Sequence, residues 1–359
     1  MALHRYRNAL AVLAMASTAI VAAAGTAGAA VHNSSHLKVS TAMKLAFRKN
    51  GTPILTGTTI NLANSAGSAH IGDVHIYVME QILKQWGANV SLTIGGSNIA
   101  ELGVASGKED VCTSPVANAV DLGLTAFGPN QTALAYALLV PTSITKLSQL
   151  KGKSFADDHA TGNVDYPLWN AVAKEGGFKL SEMTLVSSGA EVNSYSLVVA
   201  GRATAAWVDP GTVAAAGPNF HALASGAKVA PKYADSMMFT TPTWLAGHPA
   251  TAEAIDLAWL AAAKIFNTNE PLWAQYGIGY TSGTATPSVL AANYKVLKPS
   301  GGFATSESSF SRASVAYNVV VSKSLGIITS LGGRPLSQLV KTAPWTAAWN
   351  QFHAHEKAY

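Results

Sequence analysis

Cysteine occurs once in the 359 residues, at Cys112. One thiol excludes a disulfide-stapled scaffold and a cysteine-rich metal centre, and its place far from the N-terminus excludes a lipid-bearing first residue. Charge is scarce as well, with Asp, Glu, Lys and Arg making up 12% of the chain. The Lys and Arg residues are dispersed, without the runs that neutralise a line of phosphates, so nucleic acid is not an expected partner. No repeat or low-complexity tract is present, which sets aside solenoids and disordered tails. Beyond the first thirty residues, no stretch reaches the ~18 uninterrupted apolar residues of a membrane span.

Apolar residues make up 48% of the chain, enough for a substantial core in one large or two medium domains. The first thirty residues have a different character. His4, Arg5 and Arg7 form a basic start, residues 9–24 are almost wholly apolar, and Ala27, Gly28 and Ala29 supply the small residues a signal peptidase accepts. Residues 1–29 are therefore expected to be a signal peptide, with the mature chain beginning near Ala30 or Val31. That chain is expected to be a soluble monomer, periplasmic or secreted, its formal charge falling from +5 to +3 with the loss of Arg5 and Arg7.

After a polar lead, residues 58–63 read as a buried strand followed by a turn rich in Ser, Gly and Ala. Val74, Val78, Ile82 and Trp86 then recur at helical spacing until Gly87 stops the run. Residues 89–94 form the next strand, 99–106 a short helix, and 110–113 a third strand. This β-turn-α alternation implies parallel strands joined by right-handed crossovers, with ligands bound outside the strands' carboxyl ends.

The alternation starts afresh with strands at 134–140 and 153–156, a helix carrying Leu168 and Val172, and strands at 184–186 and 203–208 flanking a helix near 192–200. Residues 237–243 look β-like, and Pro249 opens a long helix with Ile255, Trp259, Ala262 and Phe266 on one face. The expected fold is α/β: two lobes joined by a two-strand hinge at 134–141 and 237–243. Lobe one would comprise 58–136 with 240–359, and lobe two 137–239.

Four segments carry a resemblance: IGGSNIAELGVASGKEDVCT at 94–113, TKLSQLKGK at 145–153, LVVAGRATAAWVD at 197–209 and TTPTWLAGHPATAEAIDLAWLAA at 240–262. In their order and spacing they resemble the substrate-binding proteins of the nitrate, sulfonate, taurine and thiamine-pyrimidine precursor type. The resemblance implies the periplasmic-binding-protein type II fold, a small-molecule ligand, a membrane ABC permease as partner, and no cofactor. Two departures bear on the ligand: MEQILKQWGANV stands at 79–90 where the family has a Gly-rich piece, and Thr204 stands where it has Asp.

In such a fold, backbone N–H groups and hydroxyls at strand ends face the ligand. The candidates in lobe one are Ser65, Ser68, His70, Gly96, Ser97, Thr113 and Ser114. In lobe two they are Asp158, His159, Thr161, Gly162, Asn163, Ser188, Glu191, Trp207 and Asp209. Ser, Thr and Asn at these points also cap helices, and Trp207 suits either a ligand wall or a core. The cluster of His353, His355 and Glu356 lacks the i, i+4 spacing of a zinc pair and is expected in a frayed terminus. Cys112 fits a small buried strand residue better than a nucleophile. The function expected is a non-catalytic solute receptor for an ABC importer. The alternatives are an enzyme on the same scaffold, resembling thiamine-pyrimidine synthases, and a ligand-sensing module for a membrane partner.

Overall fold

The computed structural model describes residues 45–65, 71–95, 98–157, 165–189, 191–303 and 305–359; the signal-peptide expectation lies outside them. Lobe one begins with β1 (Thr59–Asn64), α1 (Val74–Gln85), β2 (Asn89–Ile94), α2 (Ile99–Ala105), β3 (Val111–Ser114), α3 (Val116–Asp121) and β4 (Thr125–Gln131). Lobe two follows with β5 (Ala137–Pro141), β6 (Ser154–Asp157), α4 (Asp165–Glu175), β7 (Thr184–Ser187), α5 (Glu191–Val199), β8 (Ala205–Val208), α6 (Pro210–Ala215), β9 (Phe220–Ser225) and α7 (Gly226–Val229). The chain then returns through β10 (Ser236–Thr240), α8 (Pro242–Gly247), α9 (Pro249–Thr268), α10 (Glu270–Tyr280), α11 (Pro287–Ser300), α12 (Arg312–Ser324) and α13 (Ala343–Ala354).

The strands form two five-stranded sheets, ordered β2-β1-β3-β10-β4 and β7-β6-β8-β5-β9. In the first, β10 runs antiparallel between β3 and β4; in the second, β5 runs antiparallel between β8 and β9. Each lobe therefore repeats one plan, with the strand next to an interlobe crossing inserted antiparallel at the same position. The fold is the expected α/β architecture of two lobes. The hinge differs in detail from expectation: residues 137–141 and 236–240 are strands within the sheets, and the crossings are the short segments before them, 132–136 and 230–235.

Burial explains the sequence pattern. Strands β3, β4, β5, β8 and β10 are buried along almost their whole length, and β5 and β8 accordingly read as continuous apolar runs, whereas the edge strand β2 is largely open to solvent. Helix α9 packs between α1 and α13 and carries twelve buried residues, among them Ile255, Trp259 and Phe266. Among the described residues no helix is long and apolar enough to cross a membrane. The C-terminus is ordered rather than frayed. The His353 ring lies tilted against Trp349 at 4.0 Å, and the Tyr359 hydroxyl donates to the Gly51 carbonyl at 2.6 Å, because aromatic rings there find an apolar surface to cover.

The C-terminal helices also clamp both crossings. Thr132 donates through its backbone N–H to Gly302 O at 2.8 Å and through its hydroxyl to Gly301 O at 3.0 Å. Asn318 on α12, fully buried, accepts from Ala234 N at 3.1 Å and donates to Ala234 O at 2.7 Å. Replacing Asn318 by Ala strands a buried donor and a buried acceptor, each costing ~1–3 kcal/mol. Asn318→Ala is thus expected to lower stability by about 2–4 kcal/mol in urea denaturation. A loss under about 0.5 kcal/mol would show that the crossing does not depend on this clamp.

Candidate functional site

Parallel strands leave their C-terminal backbone groups at one rim of the sheet, where the chain turns into the next helix. In lobe one these rims are laced together. Asn64, the last residue of β1, accepts from Thr113 Oγ1 at 2.8 Å and donates through Nδ2 to the Tyr280 hydroxyl at 3.3 Å. The Asn64 carbonyl accepts from Gly95 N at 2.9 Å, and Ser65 N donates to Thr113 O at 3.3 Å. The ends of β1, β2 and β3 and the end of α10 thereby share one polar network.

The next residue of β3, Ser114, turns to the other face of the sheet, because successive strand side chains alternate, and meets a carboxylate there. Glu101, on the sheet-facing side of α2 with Ala100 and Val104, has no solvent-exposed surface. Its Oε1 accepts from the Ser114 hydroxyl and, at 3.5 Å, from Asn118 Nδ2. Its Oε2 is buried without a hydrogen-bond partner. Burial pushes the thiol pKa of nearby Cys112 well up, and the Glu101 charge adds to the rise, so the thiol stays protonated and inert.

The corresponding rim of lobe two is formed by Asp157, Ser187 and Val208. Ser188 N donates to Asp157 O at 2.8 Å, and the Ser188 hydroxyl accepts from Ser194 Oγ at 3.0 Å on α5. The Asp209 carbonyl receives both the backbone N–H of Thr212, at 2.9 Å, and its hydroxyl, at 2.7 Å, which fixes the entry into α6. A lobe-one helix reaches this point, since Gly211 N donates to Asn293 Oδ1 of α11 at 3.1 Å. A side chain on Gly211 would collide with that amide, so glycine permits the close approach.

Of the candidates named from sequence, Ser65, Thr113 and Ser114 come together at the lobe-one rim, and Ser188, Asp209 and the backbone of Glu191 lie at the lobe-two rim. Ser68, His70, Gly96, Ser97, Asp158, His159, Thr161, Gly162 and Asn163 lie outside the described residues. Trp207 is corrected to a core residue. It has no exposed surface, and its indole packs 5.8 Å from the Trp169 ring, which lies 4.6 Å from Phe155. On β8 it points to the face covered by α4, which removes the free ring face a ligand would need.

Asn64, Glu101, Asn118 and Tyr280 were not anticipated. Glu101 alone carried a signal, as an acid on a helix face otherwise made of Ala and Val. Among the described residues, no three His, Cys, Asp or Glu side chains gather as metal ligands would.

No family model matches the chain, and no curated protein does. Solved structures do. The periplasmic aliphatic sulphonate binding protein SsuA from Escherichia coli aligns with a TM-score of 0.63 at 13% identity, over 80% of this chain and 93% of that one. The periplasmic nitrate-binding protein NrtA from Synechocystis PCC 6803 aligns with a TM-score of 0.65 at 10% identity, over 84% and 90%. The ligand binding component of an ABC-type import system from Staphylococcus aureus gives 0.65 at 12%, over 81% and 99%. At such identities the likeness is one of fold, and that fold is the two-lobed type II architecture of periplasmic binding proteins.

Proposed function

We propose that the protein is an extracytoplasmic solute receptor that closes its two lobes on a small molecule and delivers it to an ABC importer. The observation that carries this reading is the repeated sheet plan, which sets two rims of hydroxyl, amide and carboxylate groups at the ends of parallel strands in two separately cored lobes. Lobes joined by two short crossings move as hinged bodies, and closure presents both lobe surfaces to a membrane partner. The structures it resembles are named for aliphatic sulphonate and for nitrate, and the sequence resemblance adds taurine and thiamine-pyrimidine precursors. Solutes of these classes are the first candidates. The alternative of an enzyme on the same scaffold finds no reactive thiol in Cys112, whose sulfur is fully buried and its pKa raised by that burial.

The test combines thermal-shift screening of the exported chain with small-angle X-ray scattering. A solute held at 100 times its Kd is expected to stabilise the protein by about 2.7 kcal/mol and to reduce its radius of gyration. Stabilisation without compaction would argue against a closing receptor. Chemical conversion of the solute would favour an enzyme.

A further inference from the structure

The described residues that follow the parallel strands at the two rims, 64–65, 94–95, 113–115, 157, 187–189 and 208–211, contain no Lys or Arg, and their ionisable residues are Asp157 and Asp209. Backbone N–H groups alone can hold an anion, so this composition does not decide the ligand's charge. Glu101 does. Its carboxyl group is fully buried at the ends of β1 and β3, and one oxygen is held by Ser114 and Asn118. The other has no hydrogen-bond partner, and among the described residues no Lys or Arg pairs with it.

A buried carboxylate without a counter-charge is costly, and an anion brought near it would raise that cost. A donor from outside the chain resolves it, and a positively charged N–H donor does so best.

We propose that the bound solute presents a protonated nitrogen, an ammonium or amidinium group, to Glu101 Oε2. This rests on the receptor reading and narrows it: among the solute classes above, an aminosulfonate fits and a simple sulfonate or nitrate does not. The pairing is buried, so the ligand is a small molecule enclosed by the protein rather than the side chain of a docking partner. The two sheet rims divide the work. Lobe one supplies the counter-charge beside Ser114 and Asn118, and the hydroxyl and backbone groups near Ser188 meet the remainder of the solute.

The experiment is calorimetric titration of the exported chain with solutes sorted by charge: ethanolamine, putrescine and agmatine; ethanesulfonate, nitrate and acetate; and 2-aminoethanesulfonate, matched to ethanesulfonate except for its amine. Binding is expected to require the amine. Glu101→Gln, which keeps an oxygen to accept from Ser114, is expected to weaken amine binding at least about tenfold with little change in the melting temperature of the free protein. A purely structural Glu101 would do the reverse, lowering the melting temperature and sparing affinity, and that result would overturn the proposal. If Glu101→Gln fails to fold, Glu101→Asp takes its place, with a smaller but measurable loss expected. Binding of ethanesulfonate or nitrate as tight as that of any amine would also overturn it while leaving the receptor reading intact. If no solute of any charge binds, both fall.

Discussion

Trp207→Ala is expected to cost about 3–5 kcal/mol of folding stability, as other large-to-small core substitutions of tryptophan do. The indole is completely enclosed between Trp169, Phe155 and the rest of the lobe-two core, so its removal leaves a cavity that β8, hydrogen-bonded on both sides, cannot collapse to fill. Guanidinium denaturation measures the loss. Because the ring turns away from the strand rims, solute affinity of the folded variant is expected to stay within about twofold of the wild type. A tenfold loss of affinity with stability nearly intact would return Trp207 to the binding site. Trp207→Phe is a useful companion: it keeps an aromatic ring and deletes the Nε1–H, which has no acceptor in the core, so it is expected to cost less than half as much.

The second large effect is a dependence of stability on pH. His75 on α1 is buried with its ring stacked 4.4 Å from Phe303 and edge-on to Trp259 at 5.2 Å. Burial lowers its pKa from 6.5 to about 3, with the nearby Trp259 backbone opposing in part. The native state therefore holds a neutral imidazole where the unfolded chain takes up a proton. Its contribution is fully present above about pH 6.5 and is lost as pH falls toward 3, to a total of about 4–5 kcal/mol. Asp256, also buried, works in the opposite sense. Burial raises its pKa well above the usual value, so its share of stability is fully present below the unfolded carboxylate range and is lost from there upward until pH passes its raised native value. Comparing wild type with His75→Phe cancels Asp256 and isolates the histidine. Urea midpoints measured between about pH 7 and pH 4 are expected to fall less steeply in the variant. Equal slopes would mean that His75 is charged in the native protein.

Much of the architecture is legible in the residues because two-sided burial leaves a strong mark. The 3.6-residue recurrence of Val74, Val78 and Ile82, the long face of α9 from Ile255 to Phe266, and the apolar runs at β1, β3 and β8 each belong to an element the structure contains. Strand β4 was illegible for a physical reason. Its sequence, TAFGPNQ, places Gly128 and Pro129 in a buried strand, where both are ordinarily disfavoured. Register shifts against β10 on either side of Met237 and Met238 absorb the irregularity, and Gly128 leaves room for the Asp256 side chain. Strand β9 was missed because FHALAS is half-exposed and lacks clean alternation. Residues 237–243 read as one extended piece, yet Thr241 caps a helix at Pro242 by accepting from Trp244 N at 3.1 Å.

The site was legible only as rims. Turn residues rich in Ser, Thr and Asn mark where strands end, and Ser65, Thr113, Ser114, Ser188 and Asp209 do lie there. What sequence spacing could not convey is which distant residues meet them. Tyr280 reaches Asn64 across 216 positions, and Asn293 reaches Gly211 across 82. No local pattern encodes contacts made only when helices of the C-terminal third fold back over the first.

The antiparallel strand inserted into each sheet also sets an order of assembly. All five strands of lobe two lie between Ala137 and Ser225, without interruption in sequence, so that sheet can be completed as soon as the segment leaves the ribosome. The first sheet cannot. Its strand β4 is joined to β3 only through β10, which is synthesised after the whole of lobe two, and its covering helix α9 comes later still. The half of the molecule translated first is therefore finished last, with an unpaired edge on β3 that stays open while about a hundred further residues are made, the interval in which unpaired strands are prone to mispairing.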